Sequence, residues 1–571
     1  MIIEKEVLNI FTDPLVNKPI YAHQKYVLNH DGWDQLKIHT PTSSGKTLSA
    51  VLFALKAKFD NPSTLVKTIL TFPTNLLSQK QFEASIVDGL TNWIGAQERI
   101  RGVLHPVKNT IEPGWSNFFT SYSDGAPTIV FDLPAKLEHS KLWVTILNSE
   151  ILYHMFTEEN RLELGERKGK YLFNILNTLS QRDHILITSP DLLGYVAQQC
   201  YSISSGWYYK RWKDELSVSL SEHRIVVDEY HFYDPYTAIN LEKTLDRLSA
   251  EKILVLSATE RSGYFNHADV CSVTELEQDF AKDNVGKHTA SYPIDVQLID
   301  DELNIDTIER NPSFPTINFF NSVITAHEIC EQLKNEGIRY TEWTGIEKKS
   351  DESDKLIIAT SAAEVGLDLK INEMHTQFWG FDWEIPSLIQ RIGRIGRFKS
   401  DRPFKAYIHI SDTQQKQLIK SIFHEYSTLT KNQLSSSLYE KYGEKTINPK
   451  DYVSYYLWDE NGMTQLKNKW MLIDNQISFY FRPPQSQAVF DWNHHKFVYN
   501  KRTIENQYHI EMIKEVTQEP FWSTFGLSEY KILQKKSKDE RTWEKPYEGI
   551  LYPLQTSKKK FVHLAEQSNI I

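Results

Sequence analysis

Cysteine is scarce: 571 residues contain three, Cys200, Cys271 and Cys330. They are too few and too far apart for a disulfide framework or an all-cysteine zinc site, and the count suits a reducing compartment. Long apolar runs are missing as well. No window approaches the roughly 18 apolar residues of a membrane span. The opening MIIEKEVLNIF has acids where a secretory signal carries bases. The expectation is a cytoplasmic chain without a membrane partner. Excess positive charge is also absent: the net charge of −10 excludes a globally basic nucleic-acid coat. Residues 411–571 nevertheless hold 22 Lys and Arg against 19 Asp and Glu, so a local basic surface remains open. Low-complexity tracts and short repeats are absent.

What is present fits a globular protein of two to four domains, 40% hydrophobic and 24% charged. Short apolar, β-branched runs end abruptly in Thr, Ser, Pro or Asp. They are LKIHTPTSSGKT, VKTILTFPTN, HILITSPDLL, RIVVDEYH and EKILVLSATE, then PTINFFNS, DKLIIATSA and AYIHIS. Near-continuous apolar strands separated by helix-length segments predict an α/β fold with parallel sheets covered on both faces. In such sheets the carboxyl ends of the strands face the ligand crevice.

The strongest local signal is TPTSSGKT, Thr40–Thr47, between a strand candidate at 36–39 and the apolar run LSAVLFALKAK. That context suits a phosphate-binding loop. Backbone amides of Thr42, Ser43, Ser44 and Gly45 and the following helix N-terminus would cradle phosphates. Lys46 would reach the β- and γ-phosphates, and Thr47 would place its hydroxyl on magnesium. The full pattern has Gly where this chain has Thr40. The competing reading is a Ser/Gly loop that merely caps a helix. Asp228 and Glu229 then form a second nucleotide element. Asp228 would hold the magnesium, and Glu229 would orient and deprotonate the attacking water.

SSGKT, DEYH, SAT (Ser257–Thr259) and QRIGRIGR (Gln390–Arg397), in that order, resemble the motifs of superfamily 2 helicases. The resemblance spans Gln24 to Arg397. It implies two tandem RecA-like parallel-sheet lobes with ATP and Mg2+ between them. It implies that Gln24 reads adenine, and that Arg394 and Arg397 act as arginine fingers. Gln390 is implied to contact water or the γ-phosphate, and Asp368, in ATSAAEVGLDL, to serve the nucleotide. Thr74, Thr188 and Thr360 are implied to touch the nucleic-acid backbone, with Ser257 and Thr259 coupling the two sites. A solvated i,i+3 arginine face is the bland alternative for Arg391, Arg394 and Arg397. The interleaved Gly393 and Gly396 weaken it, because such a helix gains nothing from them.

DEYHFYDP, IATSAAEVGLDL and IPSLIQRIGRIGR together resemble the CRISPR-associated helicase of type I interference, in the stand-alone form of subtype I-D systems. That implies an ATP-dependent helicase moving 3′ to 5′ on single-stranded DNA. Its partner would be a Cascade-type CRISPR effector complex whose large subunit carries the HD nuclease. NHDGWD, His30–Asp34, offers one His-Asp pair before Lys46, too few ligands for a nuclease metal site, and His494-His495 is another lone cluster. A superfamily 2 DNA or RNA remodelling enzyme of another pathway would carry the same phosphate-centred motifs. A dead-site scaffold is disfavoured by the intact Lys46, Asp228, Glu229, Arg394 and Arg397.

The expected domains are a first lobe at 1–265 with a helical insertion or strand-binding elements near 85–180, and an inter-lobe connection at 266–312. A second lobe at 313–411 and a C-terminal accessory domain at 412–571 follow. The accessory region is rich in aromatics beside Lys and Arg, which more often mark core and rim than base stacking.

Overall fold

The apolar runs fold as short strands, and their burial explains their composition. Arg224–Val227 and Asp183–Thr188 are buried at every position, so they lack the polar alternation of a one-faced sheet. The computed structural model describes residues 1–40, 44–106, 108, 110–113, 125–148, 151–152, 168–197, 220, 223–233, 235–248, 250–258, 265, 267–271, 273–344, 348–349, 354–364, 370–380, 384–410 and 413–442. Beyond these it describes the strands 455–459, 462–466, 477–479, 487–492, 495–500, 508–515, 528–535 and 549–553. The chain divides into two units: 1–341 with 351–448, and 342–350 with 449–571.

In the first unit, β1 (Ile2–Ile3), β2 (Glu6–Phe11) and β3 (Ile20–Tyr21) lead into helix α1 (Ala22–Asn29) and β4 (Gln35–His39). Helix α2 (Lys46–Asp60) and β5 (Lys67–Thr71) follow. Next come β6 (Gln97–Leu104), β7 (Ile111–Pro113), β8 (Ala126–Asp132), β9 (Lys141–Leu147) and β10 (Asp183–Thr188). β11 (Arg224–Val227), β12 (Lys252–Ser257) and β13 (Asp269–Cys271) complete a sheet of ten described strands, ordered β13-β4-β12-β11-β5-β10-β9-β8-β6-β7. From β13 to β9 neighbours are parallel; β8, β6 and β7 extend the edge antiparallel. The region near 85–180, expected to be a helical insertion or strand-binding elements, supplies β6 to β9 as well as the helix Lys168–Ser180. Its runs PTIVF and LWVTIL are β-branched and buried.

The second lobe uses β14 (Asn284–Ser291), β15 (Ile294–Ile299) and β16 (Thr316–Phe319). β17 (Thr341–Trp343) and β18 (Lys348–Lys349) form a short hairpin. β19 (Leu356–Ala359), β20 (Glu373–Gln377), helix α3 (Ile385–Ile392), β21 (Phe404–His409) and β22 (Thr428–Leu429) follow. Within the first unit the second sheet runs β19-β16-β20-β21-β15-β1-β22, parallel from β19 to β15. The N-terminus closes its edge: β1 pairs antiparallel with β15 and parallel with β22. The stretch 266–312 thus contributes β13 to one sheet, β15 to the other and β14 to a three-stranded sheet with β2 and β3. Two helices past the second lobe, Thr413–Glu425 and Lys431–Tyr442, belong to this same unit. The architecture is α/β, two tandem RecA-like lobes.

In the second unit the described strands beyond residue 449 form two antiparallel sheets, one of three strands and one of five. His495 opens a strand there, and His494 lies outside the described residues.

Candidate active site

Register puts the motif residues along one edge. Ser257 pairs with His39, Val255 with Val227, Val227 with Thr71, and Thr71 with Thr188. The carboxyl ends of β4, β12, β11, β5 and β10 therefore make a single row, from which the phosphate loop and the Asp228-Glu229 turn emerge.

Thr42 and Ser43 lie outside the described residues; Ser44 to Thr47 are described. Thr40, standing where the full motif has Gly, braces the loop. Its amide donates to Ser257 O (3.1 Å), and its Oγ1 accepts from Ser44 Oγ (2.7 Å). Gly45 caps α2 in the left-handed region at φ +70°, and a Cβ there would lie 2.7 Å from Gln24 Nε2. Gln24 is buried, accepts from Tyr21 N–H (2.9 Å) and donates to Gly45 O (2.8 Å). In this conformation it holds the phosphate loop's backbone. Beside it His23 is fully buried, and burial first, then Lys46, push its pKa down to about 3.

Lys46 begins α2 with its side chain 7% exposed, and its Nζ lies 4.0 Å from Glu229 Oε1. Asp228 is buried; its amide donates to Thr71 O (3.0 Å), and its Oδ1 accepts from Glu229 N–H (2.8 Å). Burial and the neighbouring Glu229 push its pKa up to about 8, against the pull of Lys46. Glu229 sits at φ +50°, a strained setting for a residue with a Cβ. Burial raises its pKa, but Lys46, His231, Arg394 and Arg397 outweigh it and hold the carboxyl below its ordinary value. Arginines of the second lobe thus lie close enough to act on a carboxylate of the first. His231 Nδ1 lies 2.8 Å from Ser257 Oγ and 3.5 Å from Glu229 Oε2, which links the acidic turn to β12.

In the second lobe the three arginines differ. Arg391 is enclosed: its Nε donates to Glu364 Oε1 (2.6 Å), and its Nη1 donates to Asn321 Oδ1, Thr376 Oγ1 and Gln377 O. Arg394 donates to Glu364 O, and Arg397 Nε to Gly393 O (2.6 Å). Helix α3 ends at Ile392, so Arg394 and Arg397 leave it on a tight turn. Gly396, at φ +73°, makes that turn; a Cβ would lie 2.9 Å from Tyr292 O. Gln390 is buried, and its Nε2 has no hydrogen-bond partner among the described residues.

Thr188 and Thr360 are buried at their strand ends, and the Thr188 hydroxyl has no partner among the described residues. Thr74 is exposed and caps the helix Asn75–Lys80 through Leu77 N–H (3.2 Å). Thr259 and Asp368 lie outside the described residues. His231 joins the site without having been assigned a role from sequence, although it was legible as the fourth residue of DEYH.

The residues present fit a nucleoside triphosphate with magnesium: a lysine at a helix start, a buried aspartate and two arginines converge on Glu229, and Gln390, in the helix that leads into those arginines, carries an orphaned buried amide. The described residues include no cluster of three or more His, Cys, Asp or Glu placed to hold a metal by themselves. No helix among them is long and apolar enough to cross a membrane.

Residues 296–399 match the helicase conserved C-terminal domain. No curated protein matches the sequence. Among solved structures, S. cerevisiae Dbp5 bound to RNA and ADP BeF3 is 12% identical, covering 74% of this chain and 94% of its own at a TM-score of 0.40. T. fusca Cas3 with ADP is 14% identical and covers 76% of this chain and 53% of its own, TM-score 0.43. A DEAD box protein of Methanococcus jannaschii is 13% identical, with 72% and 92% covered and a TM-score of 0.31.

Proposed function

We propose that this chain is an ATP-driven superfamily 2 helicase or translocase, working 3′ to 5′ on single-stranded DNA in type I CRISPR interference. It would serve an effector complex whose large subunit carries the HD nuclease. One observation carries the enzymatic part: Glu229 of the first lobe feels Lys46 of its own lobe together with Arg394 and Arg397 of the second. The match of residues 296–399 to the helicase conserved C-terminal domain supports the helicase reading. The CRISPR assignment rests on the resemblance of DEYHFYDP and IPSLIQRIGRIGR.

Each residue then has a task. Lys46 and the loop amides hold the β- and γ-phosphates. Asp228 and Thr47 would hold magnesium, which when bound neutralises phosphate charge. Burial and Glu229 raise the Asp228 pKa, and a cation held there would favour its ionised form. Glu229, kept ionised, orients the water and takes its proton as the water oxygen bonds to the γ-phosphorus. The bond to the β–γ bridging oxygen breaks, and Arg394 and Arg397 oppose the charge that develops. His231 and Ser257 carry the state of Glu229 to β12. Thr74, Thr188 and Thr360, at the strand ends, are the proposed contacts to the polynucleotide backbone, which need not read sequence.

The test is ATP hydrolysis by the purified chain, alone and with single-stranded DNA or RNA. Glu229→Gln should still bind ATP and lose roughly 10²–10⁴-fold in turnover, and Lys46→Ala should abolish it. Parent-rate hydrolysis by Glu229→Gln would refute the roles assigned. Stimulation by RNA in preference to DNA would refute the pathway and leave an RNA-remodelling enzyme.

A further inference from the structure

Lys431 opens the helix Lys431–Tyr442, outside every motif, and is 7% exposed. Its Nζ has no hydrogen-bond partner among the described residues. That is a costly place for an ammonium. It is desolvated, and it sits at the helix end whose dipole is positive. The helix start is already capped: Thr430 N–H donates to Gln433 Oε1 (2.9 Å), and Gln433 N–H donates to Thr430 Oγ1 (3.2 Å). Lys431 therefore adds nothing to the cap.

The topology brings it to the nucleotide site. β22 lies beside β1 with Leu429 opposite Ile3, and Glu4 N–H donates to Leu429 O (2.8 Å). Glu6 and Lys431 follow closely on these paired strands. Glu6 pairs in register with Ser291. The next residue, Tyr292, donates its amide to Gly396 O (2.8 Å), one residue before Arg397. Helix α3, which leads into Arg394 and Arg397, packs against the Lys431–Tyr442 helix. The charges agree with this placement. Burial first, then Arg397 and Lys46, push Lys431 down to about 8, while Glu6 alone pulls it up. Lys431 and Lys46 in turn oppose the rise that burial gives Glu6. Three cations, Lys431, Lys46 and Arg397, thus share a neighbourhood in which Glu6 is a partial counter-charge.

We propose that Lys431 is a further nucleotide-contacting residue, whose ammonium meets the terminal phosphate of the triphosphate held between Lys46 and Arg397. This rests on the nucleotide site proposed above. Glu6 takes the role of a stand-in anion while that phosphate is absent.

The experiment is equilibrium binding of a fluorescent non-hydrolysable ATP analogue and of ADP to the full chain, with K46A, K431M, K431R and E6Q beside it. K431M should weaken the triphosphate analogue by on the order of tenfold or more, the scale of one charge-assisted hydrogen bond. ADP should change by less than about threefold, and K431R should recover part of the loss. E6Q should bind the triphosphate more tightly, because a competing anion is gone; a purely structural Glu6 predicts weaker binding. Equal weakening of ATP analogue and ADP by K431M, or no change in either, would overturn the proposal while K46A still loses binding. If the parent chain and K46A bind neither nucleotide, the nucleotide site itself fails and this proposal with it. Should K431M not fold, E6Q decides: tighter triphosphate binding supports the assignment and weaker binding overturns it.

Discussion

Replacing Gly45 with alanine tests how the phosphate loop is held. Gly45 lies at φ +70°, ψ 37°, a left-handed conformation that costs a residue with a Cβ roughly 1–2 kcal/mol. The new Cβ would also stand 2.7 Å from Gln24 Nε2. Gln24 must then give up its bond to Gly45 O, 2.8 Å, and the weaker one to Ser44 O, 3.4 Å. A buried amide left without its acceptor costs about 1–3 kcal/mol more. Gly45→Ala should therefore destabilise by roughly 2–5 kcal/mol in the parent. In a Gln24→Ala background only the backbone part, about 1–2 kcal/mol, should remain. Urea unfolding of the parent, the two single variants and the double variant gives the coupling directly. Identical costs in both backgrounds would refute the idea that Gln24 clamps the loop; a cost below about 0.5 kcal/mol would refute the left-handed backbone itself.

Other perturbations separate structural from chemical residues. Arg391→Ala removes one partner of an ion pair whose side chains are 5% and 0% exposed, so it should cost about 3–5 kcal/mol of stability. Arg394→Ala should leave the unfolding midpoint near the parent's and lower ATP turnover instead; calorimetry beside an ATPase assay distinguishes the two. Ser257→Ala removes the hydroxyl 2.8 Å from His231 Nδ1 and should lower nucleic-acid stimulation of the ATPase more than the basal rate. His184 is held down at about 3 by burial and by His223. The unfolded chain, with a histidine near pH 6.5, takes the proton first, so stability is present above that pH and falls as pH drops below it, by roughly 1.4 kcal/mol per unit. His184→Phe should flatten the stability-versus-pH slope between pH 6 and 4.

The strands that carry motifs were legible because they are buried on both faces and end in polar residues. Each of the eight apolar runs picked out in the sequence contains a strand. β20, Glu373–Gln377, was not legible: EMHTQ has little strand composition and is held by parallel neighbours on both sides. β8 and β9 were hidden by the expectation of helix in an over-long insertion, although their β-branched residues pointed to sheet. Thr40 was readable as a departure from the phosphate-loop pattern, but its bracing bonds to Ser44 and Ser257 are tertiary. Lys431 was invisible for a physical reason. Its place in the site depends on the N-terminal β1 pairing with β22, more than 400 residues away, and no local pattern encodes that register.

The proposed function requires the two lobes to meet around one triphosphate. Photo-crosslinking the full chain with an ATP analogue that carries its reactive group on the γ-phosphate, followed by peptide mapping, tests this most directly. Labelled peptides should come from both the loop at 44–47 and the turn at 390–397, and both should be lost in Lys46→Ala. Labelling confined to one lobe, or unchanged in Lys46→Ala, would contradict the proposed function.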